Sequence, residues 1–346
     1  MNVAENNKEQ IFDLTNNFTI SGSDSSVNTK EIEQAQKRKD CYFEIIAEFH
    51  KICIDLRKNS PASAKTLQLK INEFIKLYKE DERMFLSLAN VHYSYIYKNL
   101  TKKVYGIVVI HGLNTMIYSL KISIALGVPE ARLPYICFAA LFRCINLLSL
   151  QEDKLILAVL NNDIIKEISS PNSNATNYLK QIKFESFDFK FLNALCECLM
   201  RINSNSLGDS ENEMIIQYSY IIYLCDEFEK LTHLHVYGKK LSPVDAMKTL
   251  RDEMVEHFNV DIIKVFFNNL SIYPVGTYVK LSSGEIAKIV ELNNNSLLRP
   301  IVMIVTEENG NIKQKPIKLN LREKPNLYIR KPVVDEDLTE TYIDLI

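Results

Sequence analysis

The hydrophobic period of this chain changes once, at Tyr273, and that switch limits what it can fold into. From Glu31 to about residue 270, apolar side chains recur every three to four positions, the spacing of one helix face. Cys41, Ile45, Phe49, Ile52 and Leu56 form the first such stripe, and Leu67, Ile71, Phe74, Ile75 and Tyr78 the second. Phe85 to Tyr97 makes a third, and further stripes cover 111–126, 130–148, 152–168, 188–202, 213–230, 243–257 and 260–270. After Tyr273 the pattern alternates, as half-buried strands do. Strands are expected at Tyr278–Leu281, Glu285–Val290 and Ile301–Val305, with Asn309-Gly310 as a two-residue hairpin signal. Nine glycines in 346 residues also favour helix. The expected fold is mainly α, with a small antiparallel β appendage. Residues 1–30 read as a polar, disordered tail and 31–100 as an N-terminal helical module. Residues 101–272 read as a helical bundle, and 273–346 as the β appendage with a C-terminal tail.

Turn chemistry refines the boundaries. Ser60-Pro61, Pro129 and Ser242-Pro243 are expected to open helices. Ser169–Asn174 and Asn203–Gly208 read as loops. A net charge of −2 gives no broad basic field, which argues against sequence-independent nucleic-acid binding. The longest apolar region, Val104 to Leu126, is interrupted by His111, Asn114 and Lys121, so no membrane span is expected. The N-terminus has no charged-then-apolar leader. Seven cysteines at apolar positions suggest reduced thiols in a cytoplasmic protein.

Three segments in fixed order, Ser242-Pro-Val-Asp-Ala-Met247, His257-Phe-Asn259 and Ile272-Tyr-Pro-Val-Gly-Thr277, resemble the C-terminal part of an HD-GYP domain. That family comprises metal-dependent phosphohydrolases that open cyclic di-GMP. His111 to Gly127 resembles the family's first metal-binding helix, which opens with a ligand histidine. The family's Ala-Leu-Leu-His-Asp-Ile-Gly-Lys falls on Ala140 to Leu147, where Arg143-Cys144 stands in place of His-Asp and Asn146-Leu147 in place of Gly-Lys. Cys225 to Thr232 resembles Ala-Asp-x-Tyr-Asp-Ala-Leu-Thr, with Asp226 at the last metal ligand. The counterpart of the family's His-His-Glu lies within Cys196 to Arg201, and Gly-Tyr-Pro is absent.

The resemblance therefore implies an HD-type helical bundle whose metal site has been emptied of donors. A binuclear centre of this family needs an imidazole and a bridging carboxylate to generate a hydroxide nucleophile. Arginine is a permanent cation without a lone pair, and cysteine is too soft to replace a bridging carboxylate for Mn or Fe. His111 and Asp226 are read as vestigial metal-site positions, with no catalytic residue, metal or other cofactor expected. His111 is either a surviving ligand or a core residue hydrogen-bonded to Asp226. Arg143 is a candidate to fill the vacated cavity and pair with Asp226. Cys196 and Cys198 read as buried thiols, His233 and His235 as solvated loop residues, and His257 as a structural helix-end residue. Tyr93, Tyr95 and Tyr97 read as core or rim. The expected function is an inactive HD-GYP-like protein of bacterial cyclic di-GMP-related signalling, acting through protein partners or as a homodimer. Two alternatives stay open. One is a phosphodiesterase with rebuilt ligands and a divalent metal such as Mn or Fe. The other is a sensor that binds a cyclic dinucleotide through Arg143 and Arg201 without cleaving it.

Overall fold

The computed structural model describes residues 29–89, 106–150, 174–202, 212–233, 241–254, 259–270, 273–293, 296 and 298–333. The expected N-terminal tail up to residue 28, the 152–168 helix, most of both expected loops, Tyr93, Tyr95, Tyr97, His235 and His257 lie outside them. Within them the chain is mainly helical and ends in an antiparallel sheet, as the change of period requires.

The helices are α1 (Thr29–Arg57), α2 (Lys65–Glu80), α3 (Arg83–Ala89), α4 (Gly106–Ala125), α5 (Leu133–Leu141), α6 (Asn174–Lys180), α7 (Phe189–Ile202), α8 (Glu213–His233), α9 (Pro243–Met254) and α10 (Val260–Leu270). The α1 stripe of Cys41, Ile45, Phe49, Ile52 and Leu56 is buried, and so is the α2 stripe from Leu67 to Tyr78. Helix α4 is the axle of the body. Every residue from Val108 to Leu120 is buried, the pattern of a helix enclosed on all sides. It packs against α1, α3, α5, α8 and α10. By length and composition, Val108–Ala125 and Glu130–Ser149 could each cross a membrane, but most of each stretch is buried inside the body, as core helices are.

Two sequence expectations shift. Ser60-Pro61 does not open α2. Residues Ala62–Ser63 instead form β1, which pairs in parallel with β2 (Ile182–Lys183). The Ala62 amide donates to the Gln181 carbonyl at 3.1 Å and the Ala64 amide to the Lys183 carbonyl at 2.9 Å. This tertiary pairing holds the chain extended and delays the helix to Lys65, whose amide donates to Ser63 Oγ at 3.4 Å. The single helix expected over 130–148 is broken. A 3-10 turn (Glu130–Arg132) precedes α5, which carries Pro134 in its first turn, where its missing N–H costs nothing. After Leu141 the chain tightens into a 3-10 stretch, Phe142–Ser149, with Cys144 off helical geometry at φ −105° and ψ 16°. Ser242 does cap α9: its Oγ accepts from the Asp245 amide at 3.2 Å and donates to the Asp245 carboxylate at 2.7 Å.

The sheet runs in the order β6-β5-β4-β3-β7, with β3 Tyr278–Leu281, β4 Ile286–Glu291, β5 Ile301–Thr306, β6 Ile312–Asn320 and β7 Ile329–Pro332. Its inner face buries Val279, Leu281, Ala287, Ile289, Val302 and Ile304. Asn309-Gly310 does form the β5–β6 connection, but inside a longer loop. Glu307 donates to the Asn311 carbonyl at 2.7 Å, and Gly310 supplies the positive φ of 87°. All seven cysteines are buried and none forms a disulfide.

Gly112 fixes how closely α4 meets α5, because a Cβ there would lie 2.5 Å from the Leu141 carbonyl oxygen. Gly112→Ala is therefore expected to cost about 1–3 kcal/mol in urea unfolding, the range of core overpacking. An unchanged midpoint would show that the two helices are not locked at this spacing.

Candidate functional site

The helix crossing held by Gly112 sets α4 beside the break after α5, with α8 packed across both. Each element contributes to one buried cluster. Helix α4 supplies His111 and, one turn on, Asn114. The 3-10 stretch supplies Arg143 and Cys144. Helix α8 supplies Asp226, Glu229, Lys230 and His233, at spacings of three and four that share one face.

Asp226 is the hub. Its Oδ1 lies 2.7 Å from His111 Nε2. Its Oδ2 accepts from Arg143 Nε at 3.1 Å and lies 3.0 Å from Lys230 Nζ. The other His111 nitrogen, Nδ1, contacts Glu229 Oε2, whose second oxygen accepts from Asn114 Nδ2 at 3.2 Å. Lys230 also pairs with Glu227 at the edge of the cluster. His111, Asp226 and Glu229 side chains are fully buried, while Arg143 and Lys230 are 3% and 1% exposed.

A neutral imidazole has one N–H, yet both ring nitrogens of His111 face carboxylate oxygens. Glu229 faces His111 and Asn114, and Asp226 and Glu227 face the cations Arg143 and Lys230. Burial pushes the Asp226 carboxyl up, but Arg143 and Lys230 more than reverse this and hold it below the ordinary range. Burial pushes His111 down, against the pull of Asp226. Burial lowers Lys230 and Arg143, but Asp226, Glu227 and other neighbours together outweigh it and raise both above their usual values. Burial also raises the Cys144 thiol, which keeps it protonated.

His111, Cys144 and Asp226 each offer a potential metal donor within 4.8 Å of the others. The chemistry around them does not suit a divalent ion. Both Asp226 oxygens are engaged, the thiol is protonated, and a guanidinium and an ammonium share the same carboxylate oxygen. A metal placed there would displace two buried cations or sit against them.

The structure brings together His111, Arg143, Cys144 and Asp226, all four named from sequence. Arg201 is exposed at the end of α7, with its Nε directed to the Glu197 carbonyl, and does not share the buried cluster. Cys196 and Cys198 are buried on α7; the Cys196 thiol is pushed up to about 12 by burial. His233 differs from expectation. It ends α8 and is buried, with Nδ1 3.0 Å from Thr232 Oγ1 and 3.7 Å from Glu229 Oε1. Sequence reasoning missed Asn114, Glu229 and Lys230 as site residues. Their signal was present: polar groups at positions 226, 229, 230 and 233 of an otherwise apolar helix line one face and need partners if that face is buried.

Comparison with known proteins supports the same lineage. Residues 278–341 match the family model described as a KOW domain associated with HD domain. Over 81 residues the chain is 31% identical to a cyclic di-GMP phosphodiesterase of Pseudomonas aeruginosa, covering 23% of this chain and 19% of that protein. The chain thus spans about a fifth of that relative's length. No solved structure matches. Both findings support an HD-domain protein related to a signalling family.

The hub role of Asp226 has a measurable consequence. Asp226→Asn leaves Arg143 and Lys230 buried without their carboxylate and is expected to lose about 3–5 kcal/mol in urea unfolding. Arg143→Met keeps Lys230 and His111 on Asp226 and should cost less. The reverse order would remove Asp226 from the centre. The pH dependence follows from the same geometry. A carboxyl held low in the folded state stabilises above its unfolded pKa of about 3.9, and this is lost as pH falls from about 5 toward the folded value. Unfolding free energy of the native chain should fall more steeply between about pH 5 and pH 2 than that of Asp226→Asn. Parallel slopes would contradict it.

Proposed function

We propose that this chain is a catalytically silent HD-GYP-like protein that works in bacterial cyclic di-GMP-related signalling, in the cytoplasm, through protein contacts. The observation that carries this reading is the shared hold of Arg143 and Lys230 on Asp226 Oδ2. In an HD-type phosphohydrolase the aspartate and histidine present lone pairs to divalent cations, which polarise the phosphodiester and acidify a water. Here two side-chain cations take up the carboxylate charge. They give no open coordination position and no hydroxide. A permanent guanidinium cannot serve as general base. What remains is a buried polar core that fixes α4, α8 and the 3-10 stretch relative to one another. By this reading 101–272 is a degenerate HD-GYP bundle carrying the 273–346 appendage, with 31–100 as an added helical module.

Two other readings rest on specific features. The proximity of His111, Cys144 and Asp226 favours a rebuilt metal site. The Nη2 of Arg143 is buried with no hydrogen bond among the described residues, a donor that a phosphate oxygen of a cyclic dinucleotide would satisfy. Burial of Arg143 and the exposure of Arg201 weigh against both residues gripping one nucleotide.

Elemental analysis of the purified full chain, with a turnover assay on cyclic di-GMP in Mn²⁺ or Fe²⁺, separates these readings. The proposed function predicts substoichiometric metal and no product above the protein-free control. About one or two metals per chain together with hydrolysis would overturn it. Tight cyclic di-GMP binding without metal or product would replace it with the sensor.

A further inference from the structure

The sheet carries an electrostatic pattern that the buried cluster does not use. Residues 273–333 hold ten Lys or Arg against five Asp or Glu. The next thirteen residues reverse this: 334–346 contain Asp335, Glu336, Asp337, Glu340 and Asp344 and no basic residue. The strand register gathers several of the cations on one face. Tyr278, Lys288, Met303 and Lys318 form a cross-strand row over β3, β4, β5 and β6. Lys280 lies two residues from Tyr278, on the same face, and stands directly opposite Lys331 of β7.

That arrangement calls for anions. Lys280 forms no ion pair among the described residues. Lys318 has Glu291 at 3.7 Å. Lys288 packs near the Tyr278 ring at 5.9 Å, and burial pushes its ammonium down to about 8, a penalty that a neighbouring carboxylate would relieve.

The chain leaves the sheet beside this face. The Val333 amide donates to the Tyr278 carbonyl at 2.9 Å, and Val333 packs with Tyr278 and Val305 on the outer side. The acidic run begins two residues later. At about 3.3 Å per extended residue, a chain leaving Val333 can carry positions 335 to 337 at most about 7–13 Å away, one to three strand spacings, and position 340 about 23 Å. The family match also runs on to residue 341, which takes in Asp335 to Glu340.

We propose that the acidic segment 335–344 of this chain is the occupant of the lysine face of its own sheet, docking Asp335, Glu336 and Asp337 against Lys280 and Lys288, and Glu340 against Lys318. The segment would then act as a built-in competitor for any anionic partner of that face. This inference does not depend on whether the helical site is silent.

Zero-length carbodiimide cross-linking of the full chain, read by mass spectrometry on a mixture of isotopically light and heavy copies, tests it. The expected result is cross-links from residues 335–340 to Lys280, Lys288 or Lys318 that join light to light and heavy to heavy only, and that fall severalfold in 1 M salt, where the screening length is about 3 Å. Lys331 is too near in sequence to be informative. Mixed light–heavy cross-links would assign the face to a second copy. Their absence at all three lysines, with other carboxylate–lysine pairs cross-linked, would leave it to an external anion. Either result overturns the proposal.

Discussion

The helical body depends on one buried carboxylate. Asp226 sits where α4, α8 and the 3-10 stretch after α5 converge, and it satisfies His111, Arg143 and Lys230 at once. An isolated buried charge of either sign would be very costly. Removing any partner leaves the others under-compensated, so the helices are held in one arrangement. Networks of this kind need not add net stability over an apolar core. Their consequence is geometric: α4, α8 and the α5 exit cannot slide without breaking charge-assisted bonds in a medium of low dielectric.

Under the proposed function, the same network sets the chemistry. A phosphohydrolase of the HD type needs its histidine and aspartate to hold lone pairs for metal. Here Asp226 Oδ2 faces a guanidinium and an ammonium, and both His111 ring nitrogens face carboxylate oxygens. Under the proposed function, the surrounding packing, from Gly112 against Leu141 to the Ser242 cap, is what selection has kept, and the buried cluster is its internal brace.

Much of this could be read from the residues. The period change at Tyr273 marks the passage from helices to sheet, and α7, α8 and α10 fall within a few residues of their apolar stripes. His111, Arg143, Cys144 and Asp226 were nameable because a resemblance aligned them. Misreadings came where tertiary structure overrode local signals. Ser60-Pro61 looked like a helix start, but the β1–β2 pairing holds that stretch extended. The 130–148 stripe hid a break, because apolar spacing does not distinguish 3-10 winding from α. Lys230 and Glu229 were passed over because charged residues on a helix are ordinarily solvated, and only burial of that face turns them into partners of Asp226. Strand β7 was not anticipated, because Ile329–Pro332 is too short and basic to alternate clearly.

Anomalous diffraction at the manganese edge, from crystals grown in excess Mn²⁺, tests the central claim most directly. With Arg143 and Lys230 on Asp226, no anomalous peak is expected within coordination distance of that carboxylate. A peak bonded to both His111 and Asp226, with the two cationic side chains swung away, would show that the site still chooses metal over its own cations.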